Sequence, residues 1–176
     1  NLQDDCVKFV AFSEDRIILS KIGLIGLVTN ATLLSSRSLR GMREHLHQTF
    51  SKCNLLHLHG GTNEIFENSK EDENIFPIEQ SVCTQIHYKD FSNEKKIYFA
   101  ELVGKKNEKL SQLSKITFSK LNPLEISPDL NNFGFVMSSE DSNEHNFRFE
   151  EIFIKYGAGI KTNRDAISIG FNKEEL

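Results

Sequence analysis

The sequence has no tryptophan, only three prolines and only three cysteines among its 176 residues. The cysteines, Cys6, Cys53 and Cys83, lie far apart, form no CxxC pair and sit in apolar segments. This odd, scattered set argues against a disulfide framework or a cysteine zinc site, and it favours a reducing cytoplasm. The longest apolar run, residues 22–28, is too short to span a bilayer, so we expect no membrane partner.

The chain also lacks an excess of positive charge and the short motifs of common enzymes. Its 21 Lys and Arg and 25 Asp and Glu give a net charge of −4, so there is no overall basic field to attract nucleic acid. Neither a Gly-rich phosphate loop nor an HExxH or GxSxG motif occurs. These common motifs therefore mark no catalytic and no cofactor-binding residue in the chain.

Hydrophobic spacing predicts alternating helices and strands in the first third of the chain. Residues 4–19 and 38–50 have the periodicity of amphipathic helices, and residues 23–29 and 54–58 are short apolar runs typical of buried strands. Helix, strand, helix, strand is the pattern of an α/β protein. We expect a polar loop from residue 60 to residue 73.

After this loop the pattern changes. Residues 80–88 and 96–103 read as strands joined by a turn, which predicts an antiparallel hairpin. A short helix is expected at 107–113, and short strands at 132–137 and 167–171.

His57 and His59 stand at the end of the second predicted strand. At positions i and i+2 both rings would share one face of the sheet, which is compatible with metal binding. No third ligand is evident in the sequence. Ordinary polar residues at a strand end are therefore the preferred interpretation, and no metal site is predicted.

Five segments occur together in one order and spacing. They are Gly23-Leu-Ile-Gly-Leu-Val-Thr-Asn30, Leu39-Arg-Gly-Met-Arg43, Leu56-His-Leu-His-Gly60, Asp72-Glu-Asn-Ile-Phe-Pro-Ile78 and Gly159-Ile-Lys-Thr-Asn-Arg-Asp165. This set resembles the adenine-specific (N6) DNA methyltransferases of the type ISP and related single-chain restriction–modification enzymes.

The resemblance implies a partial Rossmann-like methyltransferase sheet in an α/β fold, followed by a small mixed α+β segment. Residues 1–104 would be the C-terminal half of the methyltransferase domain, and residues 105–176 a linker and the beginning of the target-recognition region. The family binds S-adenosylmethionine through a Gly-containing loop and holds the target adenine through an Asn-Pro-Pro-Tyr motif. Neither element occurs here. We therefore expect the cofactor in the parent protein only, and no methylation by this chain alone.

The resemblance also assigns substrate-binding residues. Phe76 matches the aromatic residue that stacks on the extruded base, and enzymes that act on a base receive it in such a pocket. Asn30 and Thr32 match residues near the same pocket. Pro77 disfavours helix at Phe76, and a strand is predicted from residue 80, so the Phe76 ring should lie partly exposed at the rim beside Asn30.

DNA is the partner that the resemblance implies, through the parent protein. Lys161, Thr162 and Arg164 are candidate phosphate contacts in a Gly-rich loop. Two alternatives stay open, a non-catalytic DNA-recognition module and a stand-alone α/β protein with a lost active site. The strand at residues 23–29 should have an exposed edge that either pairs in a homodimer or is covered by the chain's own C-terminal segment.

Overall fold

The computed structural model of the chain describes residues 5–62, 64 and 71–136, all within one compact unit, Asn1–Ser138. The helices are α1 (Asp5–Ser20), α2 (Thr32–Ser35), α3 (Arg40–Thr49) and α4 (Lys106–Leu113), with 3-10 turns at Arg37–Leu39 and Phe118–Leu121. The predicted helices agree with α1, α3 and α4 to within one or two residues. No helix in the described part of the chain is both long and apolar enough to cross a membrane.

In the described part of the chain, five strands form one mixed sheet. They are β1 (Gly23–Asn30), β2 (Lys52–His59), β3 (Val82–Lys89), β4 (Lys96–Glu101) and β5 (Leu124–Ile126), in the spatial order β1-β3-β2-β4-β5. This mixed α/β sheet confirms the predicted fold class of a partial Rossmann-like sheet with a small α+β segment. The domain boundary after residue 104 stays a prediction.

Strand β3 lies between two strands that precede it in the chain. It pairs antiparallel with β1 from Gly23↔Lys89 to Asn30↔Val82, and antiparallel with β2 on its other side. β1 and β2 therefore run parallel to each other without touching, and both end at the same side of the sheet.

The predicted hairpin between the strands now labelled β3 and β4 is wrong. β4 pairs in parallel with the opposite edge of β2, so β2 separates the two strands. Ser51 explains the crossing, because its N–H donates to Tyr88 O and its carbonyl accepts from Lys96 N. The Ser51 hydroxyl also donates to Asp90 in the connecting turn. The turn thus passes around the start of β2 instead of closing a hairpin.

Both faces of the sheet carry apolar clusters. The larger cluster packs α1 to α3 on one face, with Val10, Leu34, Leu46, Phe50, Leu55, Phe99 and Phe135 among its members. The smaller cluster lies on the other face, where Leu113, Phe118 and Leu121 pack against Leu56, Leu58, Val82 and Ala100. At the β1 end of the sheet this second face is open, with Leu24, Val28, Ile86 and Tyr88 exposed.

A chain of buried polar side chains crosses β1, β3 and β2. His87 contacts Gln85 Oε1 through Nε2 at 2.9 Å and Cys53 Sγ through Nδ1 at 3.1 Å, and Gln85 Nε2 donates to Thr29 Oγ1. Burial raises the pKa of Cys53 to about 12, so its S–H can donate to Nδ1 while Nε2–H donates to Gln85. One neutral tautomer of His87 therefore satisfies every hydrogen bond in this series of side chains.

Arg43 fixes the segment that follows β5 and corrects a second prediction. Its buried guanidinium donates to the backbone oxygens of Leu33, Ser36, Asn132 and Phe133. Residues 132–136, expected to begin a short strand, instead form a turn in which Asp129 accepts from Asn132 N and Gly134 N, and Phe133 has φ +54°. Backbone groups that hydrogen-bond Arg43 and Asp129 are not available for a strand ladder. The strand predicted at residues 167–171 lies outside the described residues.

The buried His87 predicts a stability that depends on pH. Burial lowers its pKa from 6.5 to about 4. Between these two values His87 is protonated in the unfolded chain and neutral in the folded chain. The His87 contribution is complete above pH 6.5 and is lost as the pH falls towards 4. Between pH 7 and pH 5 the free energy of unfolding should decrease by about 2 kcal/mol. Urea titrations at each pH measure this, and His87→Gln should remove most of the slope.

The outer edge of β1 predicts self-association. Among the described strands β1 lies at the edge of the sheet, it contains no charge or proline, and Leu24 on it is 62% exposed. Such edges tend to pair with another chain. We expect the chain to dimerise in sedimentation velocity and Leu24→Lys to shift it towards monomer. Phe91→Lys, which removes an exposed apolar residue away from β1, should leave the association unchanged. A strictly monomeric wild-type chain at high concentration, with no segment covering β1, would contradict this.

Candidate functional site

A cavity lies where β1 ends, beside the loop that leads into β3. Its volume is about 390 Å³, and its walls are Cys6, Val28, Thr29, Asn30, Phe76, Pro77, Ile78, Gln80 and Val82. Phe76 is 42% exposed and borders the same space as Asn30. The wall is mostly apolar with a few amides, a composition that suits a flat, uncharged ligand.

Asn74 shapes the loop that carries Phe76. Its side-chain Oδ1 accepts from Phe76 N at 3.0 Å, and its Nδ2 donates to Ile78 O and Gln80 O at 3.0 and 2.8 Å. One side chain therefore holds both ends of the turn around Pro77. The local geometry of Phe76 depends on Asn74 as well as on the proline.

Gly60 lets this loop reach the sheet. The residue has φ +87°, and a Cβ built on it would overlap the backbone of Asn74. Only glycine supplies both the backbone conformation and the space. The Gly60 position therefore sets how closely the Phe76 loop approaches the end of β2.

Lys109 anchors the start of the same loop. Its buried ammonium group donates to Leu58 O at 2.6 Å and to Glu73 O at 2.8 Å, and it pairs with Asp72 at 2.6 Å. Asp72 Oδ1 in turn accepts from Gly104 N. A buried lysine persists only when its charge is paired and its donors are used, as they are here. The helix α4, the end of β2 and the Phe76 loop are thus joined at one ammonium group.

A second cavity of about 280 Å³ lies on the other side of Asn30. It is lined by Asn30, Thr32, Gly61, Thr62, Glu64, Glu79, Gln80 and Ser81. Two carboxylates on its wall, with no Lys or Arg beside them, would repel a phosphate. Within the described residues, this end of the sheet suits an uncharged ligand better than a phosphate.

The structure brings the three predicted substrate-binding residues to the same end of the sheet. Asn30 Oδ1 accepts from Thr32 N at 2.9 Å, which turns the chain from β1 into α2 and leaves Thr32 exposed at the second cavity. The expected position of Phe76, partly exposed beside Asn30, is confirmed. The binding roles of Asn30, Thr32 and Phe76 stay predictions. Lys161, Thr162 and Arg164 lie outside the described residues.

Sequence reasoning missed the residues that support this site. Asn74 and Asp72 belong to the segment that carries the family resemblance, but their partners, the 76–80 backbone and Lys109, are visible only in the fold. A lysine inside a short amphipathic helix normally indicates a solvent-facing position. No signal in the sequence marked Lys109 as buried.

Solved structures similar to this chain include three that contain DNA or a DNA substrate mimic. The ATP-dependent type ISP restriction–modification enzyme LlaBIII bound to DNA matches over 99% of this chain with a TM-score of 0.78 and 27% identity. A nuclease-deletion mutant of the type ISP enzyme LlaGI with a DNA substrate mimic matches over 76%, with a TM-score of 0.67 and 27% identity. The DrdV–DNA complex matches over 81%, with a TM-score of 0.66 and 27% identity. No protein-family model and no curated protein matches the chain.

The similarity extends to a small part of these large proteins. The chain covers 12% of the LlaBIII chain, 11% of the LlaGI chain and 14% of the DrdV chain. It therefore shares its fold, and about a quarter of its aligned residues, with one region of type ISP restriction–modification enzymes.

Replacing Gly60 by alanine should displace the Phe76 loop. The new Cβ would overlap Asn74, and φ +87° is strained for alanine, so we expect a loss of about 1–3 kcal/mol in the free energy of unfolding. Because the chain has no tryptophan, Phe76→Trp provides a single tryptophan in the loop, whose emission can be excited apart from that of the three tyrosines. In that background Gly60→Ala should shift the emission and lower the urea midpoint.

Gly26→Ala is the matched control. A Cβ at Gly26 meets nothing within 4 Å, so its effect should be below about 0.5 kcal/mol and the emission should not move. Equal effects of the two substitutions would show that Gly60 has no special role.

Proposed function

We propose that this chain is the part of an S-adenosylmethionine-dependent, adenine-specific DNA methyltransferase of a restriction–modification system that receives the extruded adenine. The observation that carries the proposal is the position of Phe76, half exposed and beside Asn30 where β1 ends. In α/β sheets, ligands bind outside the carboxyl ends of parallel strands, which is where this cavity lies. The similarity to DNA-bound type ISP enzymes supports the assignment.

The chemistry of the cavity fits a base. A target base must leave the double helix before its amino group can react, and an aromatic face is the usual platform for it. Phe76 offers that face. Asn30 offers an amide for the base edge, since its Oδ1 already accepts from Thr32 N and its Nδ2 donates to no described residue. The nearby Glu64 and Glu79 would keep phosphates away from this end of the sheet.

The chain does not itself fit the cofactor. The Gly60-Gly61 pair is the one Gly pair that follows a parallel strand in the described part of the chain, and Asn74 fills the space beside Gly60. The family's Gly-rich loop and Asn-Pro-Pro-Tyr motif are absent from the sequence. We propose that both come from other parts of the enzyme and that this chain alone transfers no methyl group.

Contact with the DNA backbone is assigned to other residues than those of the cavity. We propose that Lys161, Thr162 and Arg164 contact phosphates, and such contacts position a duplex without reading its sequence.

The proposed working compartment is the cytoplasm. Cys53 and Cys83 are buried thiols that form no disulfide, which fits a reducing compartment, and a DNA substrate fits it as well.

Substitution of Phe76 in the full-length protein tests the proposal. Stacking on a base contributes about 1–3 kcal/mol, so Phe76→Ala should weaken binding of a target-site duplex by about tenfold to a hundredfold, and Phe76→Trp should retain most of it. 2-Aminopurine at the target position reports extrusion of the base by its fluorescence, and N6-methyladenine formation reports the reaction. Both signals should fall in Phe76→Ala and persist in Phe76→Trp.

Phe91→Ala is the matched control, because Phe91 is 81% exposed in the turn at the opposite end of β3. It should change neither signal. If Phe76→Ala leaves both the 2-aminopurine signal and methylation at the wild-type level, Phe76 does not receive the base.

A further inference from the structure

Two histidines and two glutamates meet where β2 and β4 end. The His57 and His59 rings have centroids 3.7 Å apart, much closer than the roughly 6.6 Å between alternate residues of a straight strand. The pairing register of β2 shifts between them, and His59 has φ +54°. This local bend brings the two rings into a stack.

Each ring faces a carboxylate on both sides. On one side, Glu101 Oε1 lies 3.9 Å from His57 Nδ1 and 3.4 Å from His59 Nε2. On the other side, Glu64 lies 3.4 Å from His57 Nε2 and 3.4 Å from His59 Nδ1. The imidazoles are largely buried, with 13% and 10% of their side chains exposed.

The proton count of this cluster calls for a cation. Two neutral imidazoles carry two N–H groups for four contacts with carboxylate oxygens. When both N–H groups point to Glu64, the lone pairs of His57 Nδ1 and His59 Nε2 point to Glu101. A nitrogen lone pair and a carboxylate that face each other repel unless a positive charge lies between the nitrogen and the carboxylate.

The tautomers with both N–H groups on Glu64 are those of a metal site. Histidine ligands usually donate their other ring N–H to a carboxylate, which fixes the ring and makes it a stronger ligand. Here Glu64 would accept both N–H groups, and Glu101 would complete the set of ligands. The candidate ligand atoms of His57, His59 and Glu101 all lie within 4.8 Å of one another.

We propose that His57, His59 and Glu101 bind a divalent transition-metal ion of the zinc class, with Glu64 orienting both imidazoles from the other side. Two imidazoles and one carboxylate are a common donor set for zinc and related ions. The ion would join the ends of β2 and β4 to the turn at Gly61, whose N–H donates to Glu64. The site stands on these contacts and does not depend on the proposed methyltransferase role.

Metal titration of the 176-residue chain, without a histidine tag and after EDTA treatment, tests the site. Isothermal titration with Zn²⁺ should show one ion per chain, and Co²⁺ should give the visible absorption of a low-coordinate nitrogen and oxygen site. His57→Ala, His59→Ala and Glu101→Gln should each weaken binding at least about tenfold, the smallest loss typical of even an outer-shell partner.

His45→Ala is the matched control. His45 also contacts a glutamate, Glu14, at 2.8 Å, but in the described residues it belongs to no cluster of three ligands. Its removal should leave affinity and stoichiometry unchanged, and circular dichroism checks that every variant is folded.

If a histidine variant does not fold, the metal site is tested on the wild-type chain by NMR. Zn²⁺ should shift the ring nitrogens of His57 and His59 in NMR spectra and leave those of His45 in place. A folded wild-type chain that binds no Zn²⁺ at micromolar concentration overturns the proposal. Binding that survives His57→Ala and His59→Ala in folded protein overturns it as well. Protonation of both imidazoles in the metal-free chain, with no response to Zn²⁺, would assign the cluster to proton binding instead.

Discussion

The insertion of β3 between β1 and β2 is the constraint on which the rest of the structure depends. It holds two parallel strands in one sheet without letting them touch, and it makes both end on the same side. The buried side chains of Thr29, Gln85, His87 and Cys53 link the three strands through hydrogen bonds that only one tautomer satisfies. Buried polar groups are costly unless paired, so this chain of contacts favours one register of the three strands over shifted ones.

The position of the candidate base site follows from that insertion. β1 ends at Asn30 and Gly60 follows the end of β2, both at the end of the sheet where β3 begins. The Phe76 loop crosses this end of the sheet between the two residues. Three contacts set the path of this loop. Asn74 hydrogen-bonds the backbone of the turn, Gly60 leaves space for Asn74, and Lys109 hydrogen-bonds the start of the loop. Phe76 is therefore held by its neighbours' hydrogen bonds while its own ring stays half exposed and available.

Charge divides this end of the sheet into regions with different chemistry. The cavity at Phe76 is apolar with amide groups. The neighbouring cavity is lined by Glu64 and Glu79. Glu64 also contacts the stacked His57 and His59 rings. Negative charge this close to the Phe76 cavity disfavours a phosphate at this end of the sheet.

The sequence by itself determined the helices α1, α3 and α4, the strands β1 to β4, the α/β class and the segments that resemble type ISP enzymes, because hydrophobic spacing and short motifs are local properties. It also placed Phe76 at a strand rim, because Pro77 and the start of β3 restrict the backbone on both sides. The tertiary structure alone decided the pairing of the strands after the polar loop, the turn in place of a strand at residues 132–136, and the burial of Arg43 and Lys109. It alone placed Glu101 beside His57, a neighbour 44 residues away in the chain but adjacent in the β2–β4 register. These features depend on which strands become neighbours and on which buried charges find partners. Both are settled by long-range contacts that no local pattern encodes.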